Sequence, residues 1–256
     1  MKFRSALWLL LCSALVFVFA LNNSRAVHSQ TTKGLSLSMA EQDLLNEINQ
    51  ARAHPQTYAS YLEKLKPMFK DKMYIPSGGS GFETQEGWTA VDDAIKFLRL
   101  AKPLGPLTTS QGLCLAALSH VKDQGSSGAT GHKGSDSAFI EERVKPYGTW
   151  QGGIGENLTY GNQSAREHLL MWLIDDGFSS RGHRNRVMSA NYKVAGISCG
   201  AHPEFGTMCV LTLAGGFLDA GAAKSSTVSS PKNRQATAVT TTKANSNSNK
   251  PQPRKY

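Results

Sequence analysis

Four short segments each set one acid or imidazole beside a glycine: His132 in "TGHKG", Glu156 in "GIGENL", Asp175 and Asp176 in "LIDDG", and His183 in "RGHRN". Glycine at such places lets the backbone approach a ligand or take a positive φ. Two imidazoles with a carboxylate can hold zinc or another divalent cation, a second carboxylate orienting one ring from outside. The same set could instead do general acid–base work, with Glu156 and His183 as the catalytic candidates. Local spacing does not choose between these, because the residues lie far apart along the chain. His183 also stands among Arg181, Arg184 and Arg186, so the segment reads as a basic patch, a solvated surface or one corner of an assembled site.

Other chemistry is poorly represented. There is no HExxH helix and no CxxC pair. Ser179 and Ser180 lack the GxSxG turn of a serine nucleophile. Cys114 sits in the apolar run "LCLAAL" and reads as a buried free thiol. His120 reads as buried and hydrogen-bonded, His54 as a turn residue, His168 as solvated or supporting, and His202 as exposed in a hairpin loop. Asn157 is expected to bond backbone, while Tyr147, Trp150 and Tyr160 either rim a cleft or pack.

Charge excludes one class of partner. Of 28 Lys and Arg, 4 lie in the first 33 residues and 7 in the last 37, which leaves 17 in the body against 19 acids. A protein that docks on nucleic acid carries its positive charge on the folded face. Here the net charge of +9 belongs to the ends, so no specific nucleic-acid partner is expected. Residues 1–26 pair Lys2 and Arg4 with an apolar run too short for a comfortable span, as in a secretory signal cleaved after Ala26 or Ala20. Residues 219–256 are Ser, Thr, Asn, Lys and Pro with little to bury, and read as a disordered basic tail able to touch a membrane or cell wall peripherally. Residues 34–218 then form one domain. Cys199 and Cys209, ten apart and flanked by strand-like runs, could bridge a hairpin in an oxidising compartment. Together these features place the chain outside the cell, or in the periplasm or envelope of a bacterium.

The elements that must carry these residues follow from periodicity. Ser38 and Glu41 form a capping box before Leu44, Leu45, Ile48 and Ala51, which recur at helical spacing. Pro55 breaks that helix or opens the next. "TTSQGLCLAALSHVKDQG" puts Leu113, Ala116, Ala117, His120 and Val121 on one face, and "SAREHLLMWLIDDG" is a further helix. Residues 67–89, rich in Gly, Ser and Lys, read as a long surface loop, and "GGIGENLTYGN" as another glycine-rich segment. "KVAGISCG" and "GTMCVLTLAGGF" form a hairpin. Helices followed by short strands argue an α+β fold with helices on a small antiparallel sheet.

The ordered set "LLNEINQARAHP", "LCLAALSHVKDQG", "TGHKGSD", "GENLTYGN", "DDGFSSRGHRN" and "VAGISCG…GTMCVLTLAGGF" resembles the CAP family of cysteine-rich secretory, antigen 5 and pathogenesis-related proteins, in its bacterial SCP-like form. The resemblance implies an α-β-α sandwich whose cleft holds two histidines and two acids. His132, Glu156 and His183 match three of them. The fourth follows a helix tryptophan by three positions; Trp172 makes it Asp175, an aspartate where the family has glutamate, with Asp176 as rival. These four form the metal set that the resemblance implies. The arginines beside His183 are expected at the surface, or paired with the acids of "EER" and "DD". The function expected is that of a monomeric extracellular binding module for a metal ion, sterol, fatty acid or cell-surface ligand, the alternative being a metal-dependent, peptidase-like hydrolase using the same cleft.

Overall fold

A computed structural model describes residues 36–76 and 81–220. The leader and all but the first two residues of the tail lie outside the described residues. Among those described, no helix is long and apolar enough to cross a membrane.

Helix α1 (Met39–Ala53) begins with the expected capping box: Ser38 N–H donates to Glu41 Oε2 at 2.7 Å, and Glu41 N–H to Ser38 Oγ at 3.3 Å. His54 ends it, and Pro55 opens α2 (Pro55–Glu63), where its missing N–H costs nothing. The expected loop over 67–89 is corrected here. Three two-residue strands, β1 (Phe69–Lys70), β2 (Met73–Tyr74) and β3 (Phe82–Glu83), form an antiparallel sheet. Register sets Phe69 opposite Tyr74 and Tyr74 opposite Phe82, with ring centroids 5.1 and 5.4 Å apart. Cross-strand aromatic pairs outweigh the loop-like composition around them. Trp88, 5.6 Å from Phe69, then starts α3 (Trp88–Leu100).

The larger sheet contains β4 (Thr108–Thr109), β5 (Gly148–Tyr160), β6 (Val194–His202) and β7 (Gly206–Asp219) in the order β4-β6-β7-β5. It is antiparallel except for the short β4–β6 pairing. Strand β5 takes in the segment that composition marks only as glycine-rich. At Gly155 close neighbours explain the glycine: a Cβ there would fall 2.7 Å from Tyr192 Oη and 3.1 Å from Arg186 Cδ. The predicted hairpin is β6–β7, bridged by Cys199–Cys209 as a directly opposed pair. Cys114 is free and buried.

Helices cover both faces of this sheet. On one side α4 (Gln111–Ser127), capped by Ser110 and ended by Gly128 at φ 71°, lays Leu113, Ala116, Ala117 and Val121 against Met208, Val210 and Ala214. The approach is so close that a Cβ at Gly196 would collide with the backbone of Leu113 and Cys114. The short α5 (Ile140–Arg143) joins this layer. On the other side α1, α2, α3 and α6 (Ala165–Ile174) pack on Ala195, Ile197, Cys209, Leu211 and Leu213. The last helix, α7 (Gly182–Val187), also packs there through Val187. The fold is α+β, an α-β-α sandwich.

Arg52, buried on α1, clasps this second layer. Its guanidinium donates to Gly105 O (3.0 Å), Val187 O (2.8 Å), Ser189 O (2.9 Å) and Tyr192 O (3.2 Å). It thereby ties α1 to the end of α7 and the segment beyond.

Candidate functional site

Strand β5 is a sheet edge, and the site is built across it. Successive strand residues point to opposite faces. Leu158 packs with Ala117 and Val121 on the α4 side, so Glu156, two residues earlier, faces the same layer. Asn157 and Thr159 face the other, where Asn157 Nδ2 donates to His183 O at 3.1 Å and Thr159 Oγ1 meets His168 Nδ1 at 3.3 Å.

His132 comes from the loop after α4. Its neighbour Gly131, at φ 91°, has both backbone groups held. The N–H donates to Tyr160 Oη at 2.9 Å, and the carbonyl accepts from Gln124 Nε2 at 2.5 Å and His120 Nε2 at 3.0 Å. Thus fixed, His132 sets Nδ1 3.0 Å from Glu156 Oε1. The other oxygen of Glu156 pairs with Arg143, whose Nη1 also reaches His132 O at 3.4 Å. Glu156 is 3% exposed. Burial pushes its pKa up, but His132 and Arg143 outweigh that and hold it below the usual range.

His183 is the second residue of α7. Asp175 caps α6 in the left-handed region (φ 55°), and this turn swings its carboxylate onto α7. Oδ1 lies 2.7 Å from His183 Nδ1, and Oδ2 accepts the N–H of His183 at 2.8 Å. Burial again raises the pKa of Asp175, and its bonds with His183 bring it below the ordinary value. Asp176 does something else: it accepts the N–H groups of Gln85 (2.7 Å) and Glu86 (2.8 Å), anchoring the chain before α3.

The four side chains thus form two imidazole–carboxylate pairs, and the rings face one another with centroids 6.5 Å apart and planes 25° from parallel. An ionised carboxylate only accepts, so Nδ1 of each ring carries the proton. The Nε2 atoms have no protein partner among the described residues. Phe178 sets an edge against His183 at 5.4 Å and remains exposed, giving the hollow one apolar flank.

The donor set can be tested against a metal ion directly. Among the described residues, no group of three or more His, Cys, Asp or Glu is placed to hold one. The carboxylates occupy the Nδ1 edges, which leaves the two imidazoles as direct ligands and the acids behind them, the arrangement in which outer carboxylates raise ligand basicity. An ion ~2.0–2.1 Å from each Nε2 lies roughly 3 Å from each centroid. Two imidazoles sharing one tetrahedral ion bring their centroids to roughly 5 Å, so the rings, 6.5 Å apart, would have to close by about 1 Å and turn to hold it between them.

Other residues depart from the sequence reading. Arg181 pairs with Glu86 at 2.6 Å and Asp93 at 3.1 Å, and Arg184 with Asp93 at 2.8 Å and with Leu173 O and Ile174 O. Glu86 lies in the segment before α3 and Asp93 in α3 itself, not in "EER" or "LIDDG", and Arg184 is buried rather than at the surface. His202 is buried, with Nε2 3.0 Å from Ala129 O, because the hairpin end folds under Tyr160 and the loop after α4. His168 is buried against Thr159 rather than solvated. His120 is fully buried and hydrogen-bonded, as expected. Tyr147 and Trp150 pack against the α4 layer. Arg143 has the largest role of those missed: it neutralises Glu156, yet nothing in its local sequence distinguishes it from any surface arginine.

A helical layer on each face of a small sheet, with two imidazole–carboxylate pairs at its β5 edge, defines an α-β-α sandwich. The model of the cysteine-rich secretory protein family, CAP, matches residues 45–213, and the chain belongs to that family. No curated relative matches it in sequence. Among solved structures it is similar to an outer surface protein from Borrelia burgdorferi (15% identity, TM-score 0.37, covering 43% of this chain and 78% of that one). It is also similar to an extracellular SCP-domain protein from Bacillus anthracis (17%, 0.36, 59% and 43%) and to NaASP2, solved with Zn2+ (16%, 0.36, 71% and 81%). The match spans less than half the length of the Bacillus chain.

Proposed function

We propose that this protein is an extracellular binding module whose edge cleft takes a divalent transition-metal ion between His132 and His183. The observation that carries the reading is the pairing of each Nδ1 with a buried, ionised carboxylate, which leaves both Nε2 atoms without a protein partner among the described residues on two rings whose centroids lie 6.5 Å apart. Such an ion supplies an electrophile with open positions for a ligand oxygen or nitrogen. Glu156 and Asp175 fix the tautomers and orient the rings; Arg143 keeps Glu156 charged. The Cys199–Cys209 bridge supports an oxidising location outside the cytosol.

Hydrolysis is the weaker reading. Both oxygens of Glu156 are engaged, by His132 and Arg143, so it is poorly placed to take a proton from water. Titrating zinc calorimetrically into the wild type and into a His132→Ala, His183→Ala double variant tests the proposal. A site that disappears in the variant is expected; equal affinities refute it.

A further inference from the structure

Beside α7 lies an open groove of about 750 Å3, walled by β5, β7 and the segment that follows the helix. Its lining carries Arg186 and Lys193 and no carboxylate. Arg99, Arg143, Arg166, Arg181 and Arg184 each face an acid, whereas Arg186 and Lys193 form no ion pair among the described residues. The nearest polar contact of Arg186 is Asn157 Oδ1, at a long 3.5 Å. Its stem and the hydroxyl end of Tyr192 approach Gly155 closely enough that a Cβ there would fall 3.1 Å from Arg186 Cδ and 2.7 Å from Tyr192 Oη. Next to them β5 bulges between Gln151 and Ile154, taking Gly152 (φ 69°) and Gly153 out of register with β7. Gln151, Gly152 and Gly153 of the bulge line the groove.

We propose that this groove binds an anionic, polyhydroxylated chain. Arg186 and Lys193 grip its carboxylate or phosphate groups, and the amides of Gln151 and Asn191 take its hydroxyls. Charge-assisted bonds from an otherwise unpaired guanidinium are the strong contacts of such a site. The body of the protein is near neutral, which favours a short acidic saccharide or polyol phosphate over nucleic acid. The site requires no metal, and its lining includes none of the four residues of the proposed ion site.

The full chain, labelled with 15N and kept in EDTA, is titrated with tetragalacturonate, a glycerol phosphate tetramer, maltotetraose and a single-stranded tetranucleotide. One or both acidic polyols should shift the amides of Gly152, Gly153 and residues 186–193, and the tighter of the two identifies the anion. The double variant R186Q/K193Q should weaken that binding at least tenfold at an unchanged melting temperature; if the melting temperature falls, the exposed substitution Lys193→Glu is read in its place, also for a loss. Maltotetraose binding equally well, the tetranucleotide binding more tightly, shifts confined to other residues, or undiminished affinity in the variants would each overturn the proposal.

Discussion

Replacing Arg52 with methionine keeps the aliphatic stem and removes every donor. Val187 O is buried, and losing its partner costs the desolvation of a lone carbonyl, about 1–3 kcal/mol. The bonds to Gly105, Ser189 and Tyr192 are partly accessible, so water can replace the guanidinium there, at about 0.5–1 kcal/mol each. The total is about 2.5–6 kcal/mol. At roughly 2–4 °C per kcal/mol for a domain of this size, melting should fall by roughly 5–24 °C. Circular dichroism melts and urea titrations measure both quantities. Arg52→Lys, with a point charge and fewer directed donors, should recover part of the loss. Zinc affinity should fall as well, since the clasp holds the end of the helix that carries His183. A methionine variant within about 1 kcal/mol of wild type would show that the four carbonyls need no guanidinium, and the reasoning would fail.

Asp175→Asn removes the charge behind His183 and should lower zinc affinity by about 10–100-fold in calorimetry, as for other outer partners of metal-bound histidine; unchanged affinity would remove Asp175 from the site. Substituting Cys199 and Cys209 together with serine should cost about 2–4 kcal/mol in urea unfolding, and non-reduced peptide mapping of the wild type should recover the two as one linked species. His168 is buried, and that burial lowers its pKa from 6.5, partly opposed by Glu167. The folded state therefore binds protons less readily than the unfolded one: the contribution of the neutral ring is complete above about pH 6.5 and is lost as pH falls toward the folded value. The wild-type urea midpoint should drop between about pH 7.5 and 5, and that of His168→Gln should drop less; parallel curves would count against a buried neutral ring.

The sequence carried α1, α4 and α6 plainly, because capping serines and helical apolar spacing act locally. It carried the hairpin for the same reason, through runs of strand-forming residues. Strand β5 was hidden by its glycines, one of which, Gly155, makes room for Tyr192 and Arg186, partners distant along the chain. The sheet of Phe69, Tyr74 and Phe82 was hidden by polar neighbours that say nothing of cross-strand ring contacts. Likewise, His132, Glu156 and His183 could be picked out by their order along the chain, whereas the preference for Asp175 over Asp176 depends on the left-handed end of α6. The ionic partners were the least visible part. Arg143 finds Glu156, and Arg181 finds Glu86, only once the layers have assembled.

The edge position of the two rings has a mechanical consequence. One ring hangs from the α4 layer and the other from the layer that includes α7, so a ligand grasping both acts as a rivet through the rim of the sandwich. At a hundredfold excess over its dissociation constant such a rivet adds about 2.7 kcal/mol against unfolding. Its removal would first be felt as play between the two halves of the rim, while the helices on either side keep their own shape.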